Sequence, residues 1–184
     1  MNNCALTPQS GTFVPDEESP YVAPFVPTPP DVVDRMLELA QVTRTDLVFD
    51  LGSGDGRIVM AAAGKYGARA VGFEIGPPLV SYSRRKVKDA GLEKLVQIRQ
   101  QDLRTVDISP ATVVIAFLSA TANLQLQATM MRQLRPAARL ICLNFRMGDW
   151  KPDYIDRMTD SLGFLRILYL WRPAERSCAR VIHS

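Results

Sequence analysis

The fold of this chain is decided at Asp50-Leu51-Gly52-Ser53-Gly54-Asp55-Gly56. The stretch follows a short apolar run, Leu47-Val48-Phe49, and precedes an apolar, alanine-rich segment over 58–63. This order predicts a strand, a tight turn and a helix. Glycines at alternate positions let the backbone turn sharply and pass close to a ligand, because they carry no Cβ. The turn also directs the first N–H groups of the helix toward that ligand, which favours a nucleotide-like occupant.

The spacing excludes two common nucleotide-binding patterns. A nicotinamide site has G-x-G-x-x-G, and counting from Gly52 its third glycine falls on Arg57. A P-loop needs G-x-x-x-x-G-K-[ST], but Gly64-Lys65 is followed by Tyr66, and no glycine stands five residues before Gly64. Asp50 is also a poor neighbour for a pyrophosphate and a good one for an ammonium group. A glycine turn without a ligand is the alternative.

The pattern D-L-G-x-G-x-G resembles the first motif of the class I S-adenosylmethionine-dependent methyltransferases. In that family the carboxylate at the strand end, here Asp50, faces the methionine moiety directly or through water. The glycines make room for the cofactor. The resemblance therefore implies S-adenosyl-L-methionine as the cofactor and places Gly52, Ser53 and Gly54 around it.

Length and composition indicate a single globular domain. The chain has 184 residues, 47% of them hydrophobic, and its net charge of +3 is too small to indicate nucleic-acid binding without a concentrated patch. No apolar run has transmembrane length, and residues 1–12 lack the basic start and apolar centre of a signal peptide. We expect a cytoplasmic monomer with no nucleic-acid partner. Cys4, Cys142 and Cys178 fit neither a disulfide framework nor a metal site, and His183 is interpreted as a solvated tail residue.

Seven prolines in the first thirty residues exclude a regular helix there. We predict a disordered tail over 1–19 and a single methyltransferase domain over 20–184. Residues 20–30 are apolar yet stiff, so they are expected to pack on the domain as an arm, either as a simple docked tail or as a lid over the cofactor. In the lid hypothesis Pro27-Thr28-Pro29 lies against the methionine end, with the Thr28 hydroxyl within reach of its polar groups.

Strands and helices are predicted to alternate along the rest of the chain, which implies a Rossmann-like α/β fold. The sheet is expected to be seven-stranded and mostly parallel, with helices on both faces and a C-terminal antiparallel hairpin. The predicted strands cover 46–51, 70–74, 96–100, 112–118, 139–145, 165–171 and 177–182. The predicted helices begin at Pro30, cover 56–66, begin at Pro77 and end at Gly91, cover 122–134, and end near Gly163. The basic residues of the helix that begins at Pro77 are interpreted as a solvated outer face: Arg84, Arg85, Lys86 and Lys88.

Ligands of such sheets bind outside the carboxyl ends of the strands. Glu74 ends the second strand about 20 residues beyond the glycine turn, where a carboxylate accepts the two ribose hydroxyls. In class I methyltransferases an acid just past the third strand commonly accepts from the adenine amine, and Asp102, followed by Leu103, matches that place. An ordinary Asx turn is the alternative for Asp102. With Leu118 at the end of the fourth strand, the predicted cofactor contacts are Thr28, Asp50, Gly52, Ser53, Gly54, Glu74, Asp102, Leu103 and Leu118.

Three segments together resemble a narrower subfamily: Pro27-Thr28-Pro29, Asp50 to Gly56, and Met147-Gly148-Asp149-Trp150. It includes archaeal broad-specificity protein lysine methyltransferases and the mitochondrial lysine methyltransferase that acts on ATP synthase, and the similarity covers about residues 20–170. The resemblance implies methyl transfer to lysine side chains of a protein. A small-molecule N- or O-methyltransferase and a cofactor-binding protein without activity are the alternatives. One departure concerns the substrate: the subfamily is expected to have a polar pair, often with a histidine, where this chain has Leu143-Asn144.

The sequence offers no convincing general base. Methyl transfer from a sulfonium is an in-line displacement with a good leaving group, so holding the reactants collinear in a dry site is most of the catalysis. A lysine nucleophile must first lose its proton, and an apolar channel lowers its pKa. Asp149 is the best acidic candidate near the site, with a structural turn or a substrate contact as the alternative. Asn144 and Tyr21 are the candidates for orienting the nucleophile, with packing as the alternative.

Overall fold

A computed structural model of the chain describes residues 25–173. Within that range the strands are β1 (Leu47–Leu51), β2 (Arg69–Glu74), β3 (Val96–Gln100), β4 (Val113–Ala116), β5 (Arg139–Leu143), β6 (Tyr154–Thr159) and β7 (Leu165–Trp171). The helices are α1 (Pro30–Leu39), α2 (Arg57–Tyr66), α3 (Pro77–Asp89) and α4 (Ala120–Gln133), and a short 3-10 turn covers Leu103–Thr105. None of these helices has the length and apolarity needed to cross a membrane.

The strands form one sheet in the order β3-β2-β1-β4-β5-β7-β6. β1 to β5 are parallel, whereas β7 is antiparallel to β5 and β6 is antiparallel to β7. The chain adds β2 and β3 on one side of β1 and β4 and β5 on the other, so the order switches between β1 and β4. A crevice opens at the carboxyl ends of such a pair, and ligands of open α/β sheets bind there. The predicted seven-stranded, mostly parallel fold is confirmed.

Alternating side chains build a separate core on each face of the sheet. Val48 of β1 packs with α1, α2 and α3, while its neighbours Phe49 and Leu51 pack on the other face with α4 and with 106–111. β4 is buried on both faces, as its continuous apolar sequence predicts. The sheet is thereby packed between two layers, one of α1, α2 and α3 and one of α4 and residues 106–111, which fix the position of its carboxyl edge.

One predicted element was wrong. The segment before Gly163 was predicted as a helix, but it is the strand β6, paired with β7 along its whole length. β6 is the edge strand and is only half-buried, so its mixed apolar and polar sequence lacks the alternation of a strand with one dry face. The predicted strand over 165–171 is confirmed, but its hairpin partner is β6. The other predicted partner, over 177–182, lies outside the described residues.

Prolines begin two helices, and a glycine follows the end of a third, where the sequence predicts. α1 begins at Pro30 and α3 at Pro77, while α2 ends before Gly67, whose φ is +68°. β5 is shorter than predicted, because Asn144 has a φ of +62° and leaves the strand conformation. The predicted tail over 1–19 and the first residues of the arm, 20–24, lie outside the described residues.

Candidate active site

The glycine turn at the carboxyl end of β1 is a tight backbone loop held against β2 and β4. Gly52, Gly54 and Gly56 all have positive φ, which residues with a side chain rarely adopt. The Gly52 N–H donates to the Phe73 carbonyl of β2 at 2.9 Å. A Cβ on Gly52 would stand 2.9 Å from a methyl group of Leu118, just beyond β4. Backbone at the switch point therefore lies close to the crevice, as a cofactor loop requires.

Asp50 is a buried carboxylate that lacks a partner. Its side-chain atom Oδ2 has no hydrogen-bond partner among the described residues, and the same holds for the buried Oγ of Ser53 in the turn. Burial, and then the charges of Glu74 and Asp55, raise the pKa of Asp50 to about 8. An unpaired buried carboxylate is costly to ionise, and an ammonium group placed beside it would remove that cost. Asp50 therefore fits the cationic methionine end of an S-adenosylmethionine molecule.

Glu74 joins the turn to the start of α3. Its Oε2 accepts from the Gly54 N–H at 3.0 Å, and its Oε1 accepts from the Gly76 N–H at 2.8 Å. Each carboxylate oxygen has a second lone pair, so both remain able to accept from ribose hydroxyls. Glu74, the carboxylate predicted to bind ribose, thus also holds the glycine turn in place through hydrogen bonds.

A chain of charges connects the turn to the arm. Arg57 binds Asp55 with two hydrogen bonds, Nε to Oδ1 at 2.8 Å and Nη2 to Oδ2 at 2.9 Å, and its Nη1 donates to the Thr28 carbonyl at 2.7 Å. Lys86 of α3 donates to Asp55 Oδ2 at 3.0 Å. Burial raises the pKa of Asp55, but the hydrogen bonds from Arg57 and Lys86 outweigh that effect and hold it at about 2. This permanently charged cluster fixes the carbonyl of Thr28 beside the turn.

The described part of the arm lies on the turn itself. Thr28 is buried, and a Cβ on Gly54 would overlap the ring of Phe25. Val26 and Phe25 are each about half exposed. Residues 25–28 of the arm therefore pack on the domain beside Gly54 and Arg57, as both the tail and the lid hypotheses expect. A contact from the Thr28 hydroxyl to a cofactor stays a prediction.

Asp102 and its neighbours stand at the next strand end. Asp102 Oδ1 accepts from the Arg104 N–H at 2.9 Å and so caps the 3-10 turn, and its Oδ2 pairs with Arg104 Nη2 at 2.6 Å. The hydrogen bonds from Arg104 lower the pKa of Asp102. These contacts are those of the Asx-turn alternative, and acceptance from an adenine amine stays a prediction. Leu103 is half-buried beside Asp102, and Leu118 is buried against Gly52.

Two of the three catalytic candidates, Asn144 and Asp149, make structural contacts. Asn144 exchanges two hydrogen bonds with the backbone of Ile167: its N–H donates at 2.7 Å, and its Oδ1 accepts at 3.2 Å. Asp149 is exposed and accepts from the side-chain amide of Gln127 on α4. Tyr21 lies outside the described residues. A direct role for any of the three stays a prediction.

Two buried or half-buried polar residues were missed by sequence reasoning. The interpretation of the α3 cations as a solvated face was wrong for Lys86, which pairs with the buried Asp55. Asn123 of α4 is fully buried, and its amide nitrogen donates to the carbonyls of Phe145 at 3.0 Å and Arg146 at 3.3 Å. Asn123 thereby ties the loop after β5 to α4. The available signal was its place beside apolar core residues of an amphipathic helix.

Proteins of similar sequence are named as methyltransferases. The family model described as the ANTKMT methyltransferase domain matches residues 50–154. A protein-lysine N-methyltransferase of Saccharolobus islandicus is 37% identical over 142 residues, which cover 77% of this chain and 88% of that protein. The human ATP synthase C-subunit lysine N-methyltransferase is 38% identical over 132 residues, which cover 72% of this chain but 56% of the relative, so the chain spans about half of that longer protein.

A solved structure is also similar over most of this chain. It is a crystal structure described as an RNA methyltransferase from Salinibacter ruber in complex with S-adenosyl-L-homocysteine. Its sequence is 46% identical, and the superposition has a TM-score of 0.76. The match covers 86% of this chain and 100% of that chain.

Proposed function

The chain belongs to the ANTKMT family of S-adenosylmethionine-dependent methyltransferases, and from that premise we propose that it methylates lysine side chains of a protein. The relatives named above support the lysine specificity, because the archaeal and human proteins are both named for it. The human relative is longer than the part that this chain matches, so we do not assign its particular target protein to this chain.

The unpartnered oxygen of Asp50 is the observation that carries the cofactor-binding part of the proposal. Asp50 would accept the ammonium group of the methionine moiety, and Glu74 the ribose hydroxyls. Asp102 would accept from the adenine amine with its remaining lone pairs. The backbone of the glycine turn leaves room for the molecule between these acids. Three carboxylates at three neighbouring strand ends would then face three polar groups of the cofactor: the ammonium group, the ribose hydroxyls and the adenine amine.

The protein contributes position and dryness to the reaction. Bound S-adenosylmethionine supplies a methyl group on a sulfonium, and the residues around it must hold an amine in line with that group. The amine reacts only as its free base, so apolar surroundings that lower its pKa promote the reaction. Phe145, which is 40% exposed on the loop that Asn123 anchors, provides apolar surface at this edge of the sheet.

Methylation of RNA is the second candidate, favoured by the description of the Salinibacter ruber structure. Nucleic-acid binding requires cations that are free to neutralise phosphates. Three cations near the site are instead paired with acids: Arg57 and Lys86 with Asp55, and Arg104 with Asp102. The guanidinium of Arg146, exposed after β5, lies 5.6 Å from the ring centre of Tyr169. For a small-molecule acceptor, the arm would have to enclose a pocket, but Phe25 is about half exposed in the described part. Both observations favour a large protein acceptor.

A labelling experiment separates these acceptors. The full chain is incubated with methyl-labelled S-adenosylmethionine and cell lysate, and the label is followed after protease, nuclease or size filtration. The proposal expects label that protease releases and that acid hydrolysis recovers as methyl-lysine. Asp50→Asn should transfer little label, whereas Lys65→Gln on the outside of α2 should match the wild type. Label recovered in nucleosides or in the small-molecule filtrate would assign the acceptor to another class.

A further inference from the structure

The turn between β6 and β7 carries an apolar surface that the cofactor site does not use. Leu162, Phe164 and Leu165 are 69%, 59% and 63% exposed. Single exposed apolar residues are ordinary, but three in one short turn form a patch, and such patches mark interaction sites. We name Leu162, Phe164 and Leu165 the hairpin tip.

A buried aspartate holds the hairpin tip rigidly. Asp160 Oδ1 accepts from the N–H groups of Leu162 at 3.0 Å and Phe164 at 2.9 Å, and its Oδ2 accepts from Arg166 Nε at 2.6 Å. Gly163 supplies the positive φ of +84° that the turn needs. The apolar side chains are therefore presented on a fixed backbone, which lowers the entropy lost when a partner docks.

The hairpin tip stands at the same edge of the sheet as the cofactor site. β7 runs antiparallel to β5, and Leu168 pairs with Leu143 at the carboxyl end of β5. The start of β7 therefore extends past the ends of the parallel strands. Ser161 in the turn also binds Asp31, through its N–H at 2.7 Å and its hydroxyl at 3.1 Å. Asp31 follows the arm in the first turn of α1, so the hairpin tip is fastened beside the arm.

We propose that the hairpin tip docks against an apolar segment of the methyl-accepting protein, next to the lysine that is methylated. The proposal rests on the proposed function and names the surface chemistry of its substrate. It follows from three observations: exposed apolar side chains, a rigid turn, and a position on the catalytic edge.

The charges of the turn favour an apolar polypeptide over RNA. Within 160–166 the sequence has one acid and one base, Asp160 and Arg166, and they pair with each other. The Arg166 side chain is 16% exposed, and its guanidinium lies 5.7 Å from the ring centre of Phe164. The turn therefore has no free cation for a phosphate, and its surface is complementary to an uncharged apolar segment.

Peptide binding in the absence of turnover tests this docking. Two fluorescein-labelled peptides share one central lysine; one has leucine and valine on both sides of it, and the other has serine and glutamine at the same positions. Anisotropy measures their binding to the full chain saturated with S-adenosylhomocysteine. The wild type is expected to bind the apolar peptide about tenfold more tightly than the polar one. The double variant Leu162→Gln/Leu165→Gln is expected to bind both peptides with the same weak affinity.

Matched variants keep the result interpretable. Met131→Gln changes an apolar residue that is 46% exposed near the end of α4, at the opposite edge of the sheet, and should retain the full preference. The affinity of the double variant for S-adenosylhomocysteine should equal that of the wild type. If the double variant does not fold, Leu162→Gln alone, at the most exposed position, should reduce the preference.

Several results would overturn the docking proposal. These are equal binding of the two peptides by the wild type, or an undiminished preference in the double variant. If neither protein prefers a peptide, but the wild type binds phosphatidylcholine vesicles and the double variant does not, the tip is assigned to a membrane. If instead the wild type self-associates and the double variant does not, the tip is assigned to a second copy. Methyl label in RNA would instead refute the proposed function, so the two failures are distinguishable.

Discussion

Two buried aspartates at opposite ends of β1 have opposite environments. Asp46, just before the strand, is 5% exposed, and Asp50, near its carboxyl end, is 2% exposed. Asp46 accepts from Thr43, Thr112 and Arg139, the last at 2.9 Å. Asp50 has an oxygen without a partner in the described part of the chain. Burial raises the pKa of Asp46, but the hydrogen bonds from Arg139 and Thr112 make the net shift downward, whereas the pKa of Asp50 is raised to about 8.

The two environments indicate that Asp46 contributes to stability and that Asp50, on the same strand, contributes to function. The amino edge of the sheet completes its own hydrogen bonds, so Asp46 stabilises the fold as a charged group. At the carboxyl edge, no residue within 25–173 supplies a cation to Asp50. Strongly shifted groups in a crevice are typical of functional sites, and the contrast with Asp46 shows that hydrogen bonds can offset the effect of burial on a carboxylate pKa.

Removing Asp46 should have the largest effect on stability. Asp46→Ala leaves the half-buried Arg139 without its anion, and breaking a buried pair in this way is expected to lower the free energy of unfolding by about 3 kcal/mol. Urea unfolding followed by circular dichroism measures the change. An unfolding free energy equal to that of the wild type would show that the amino edge is not the stabilising one.

Asp50→Asn is the matched change at the other end and should act in the opposite direction. The pKa of Asp50 in the folded protein lies above its ordinary value of 3.8. Its protonated form therefore contributes stability that is fully present below about pH 4 and is lost as the pH rises through about 8. The variant, which cannot ionise, is expected to be the more stable protein at pH 9 when no ligand is present. Equal thermal stability of the two proteins at pH 9 would contradict the unpaired state of Asp50.

Glu74→Ala should come next and should affect both properties. Loss of hydrogen bonds to a charged group predicts that S-adenosylhomocysteine binding weakens by about 1.5–3 kcal/mol. The Gly54 and Gly76 N–H groups also lose their acceptor, so a smaller loss of unfolding free energy is expected with the fold preserved. Titration calorimetry and urea unfolding measure the two effects. Unchanged affinity would show that Glu74 only holds the glycine turn in place.

Arg57→Lys should have the smallest effect of the series. Lysine keeps the charge but cannot bind Asp55 through two nitrogens and also reach the Thr28 carbonyl, so the arm is held less firmly. We expect cofactor affinity to fall by about 1 kcal/mol. Arg99→Lys, which alters a guanidinium on the surface of β3, is the control and should bind normally. Identical affinities in both variants would show that the arm does not contribute to the site.

The sequence predicted the parts of the site that depend on local patterns. The alternate glycines, the apolar run before them and Glu74 at the end of β2 were enough to place the carboxyl edge and the acids on it. Parallel strands end at one edge, so residues far apart in sequence were expected to meet there. The same reasoning gave the sheet, because buried strands such as β4 have an unmistakable composition.

What the sequence did not predict depends on tertiary contacts. β6 is a strand because β7 pairs with it, and a half-exposed edge strand has no clear period of its own. The sequence did not indicate that Lys86 is paired, because its partner, Asp55, is 31 residues away. Asp102 had two interpretations because the acid that would bind adenine and the acid that caps a turn occupy the same position.

Proton release on cofactor binding tests the central claim most directly, namely that Asp50 accepts the ammonium group. At pH 7 the free protein holds most of its Asp50 protonated, since its pKa is about 8, and an adjacent ammonium group favours the ionised form. Titration with S-adenosylhomocysteine in phosphate and in Tris, whose ionisation enthalpies differ, measures the protons exchanged. The account predicts release of close to one proton by the wild type and none by Asp50→Asn, which should also bind more weakly. Equal binding heats in the two buffers for the wild type would contradict it.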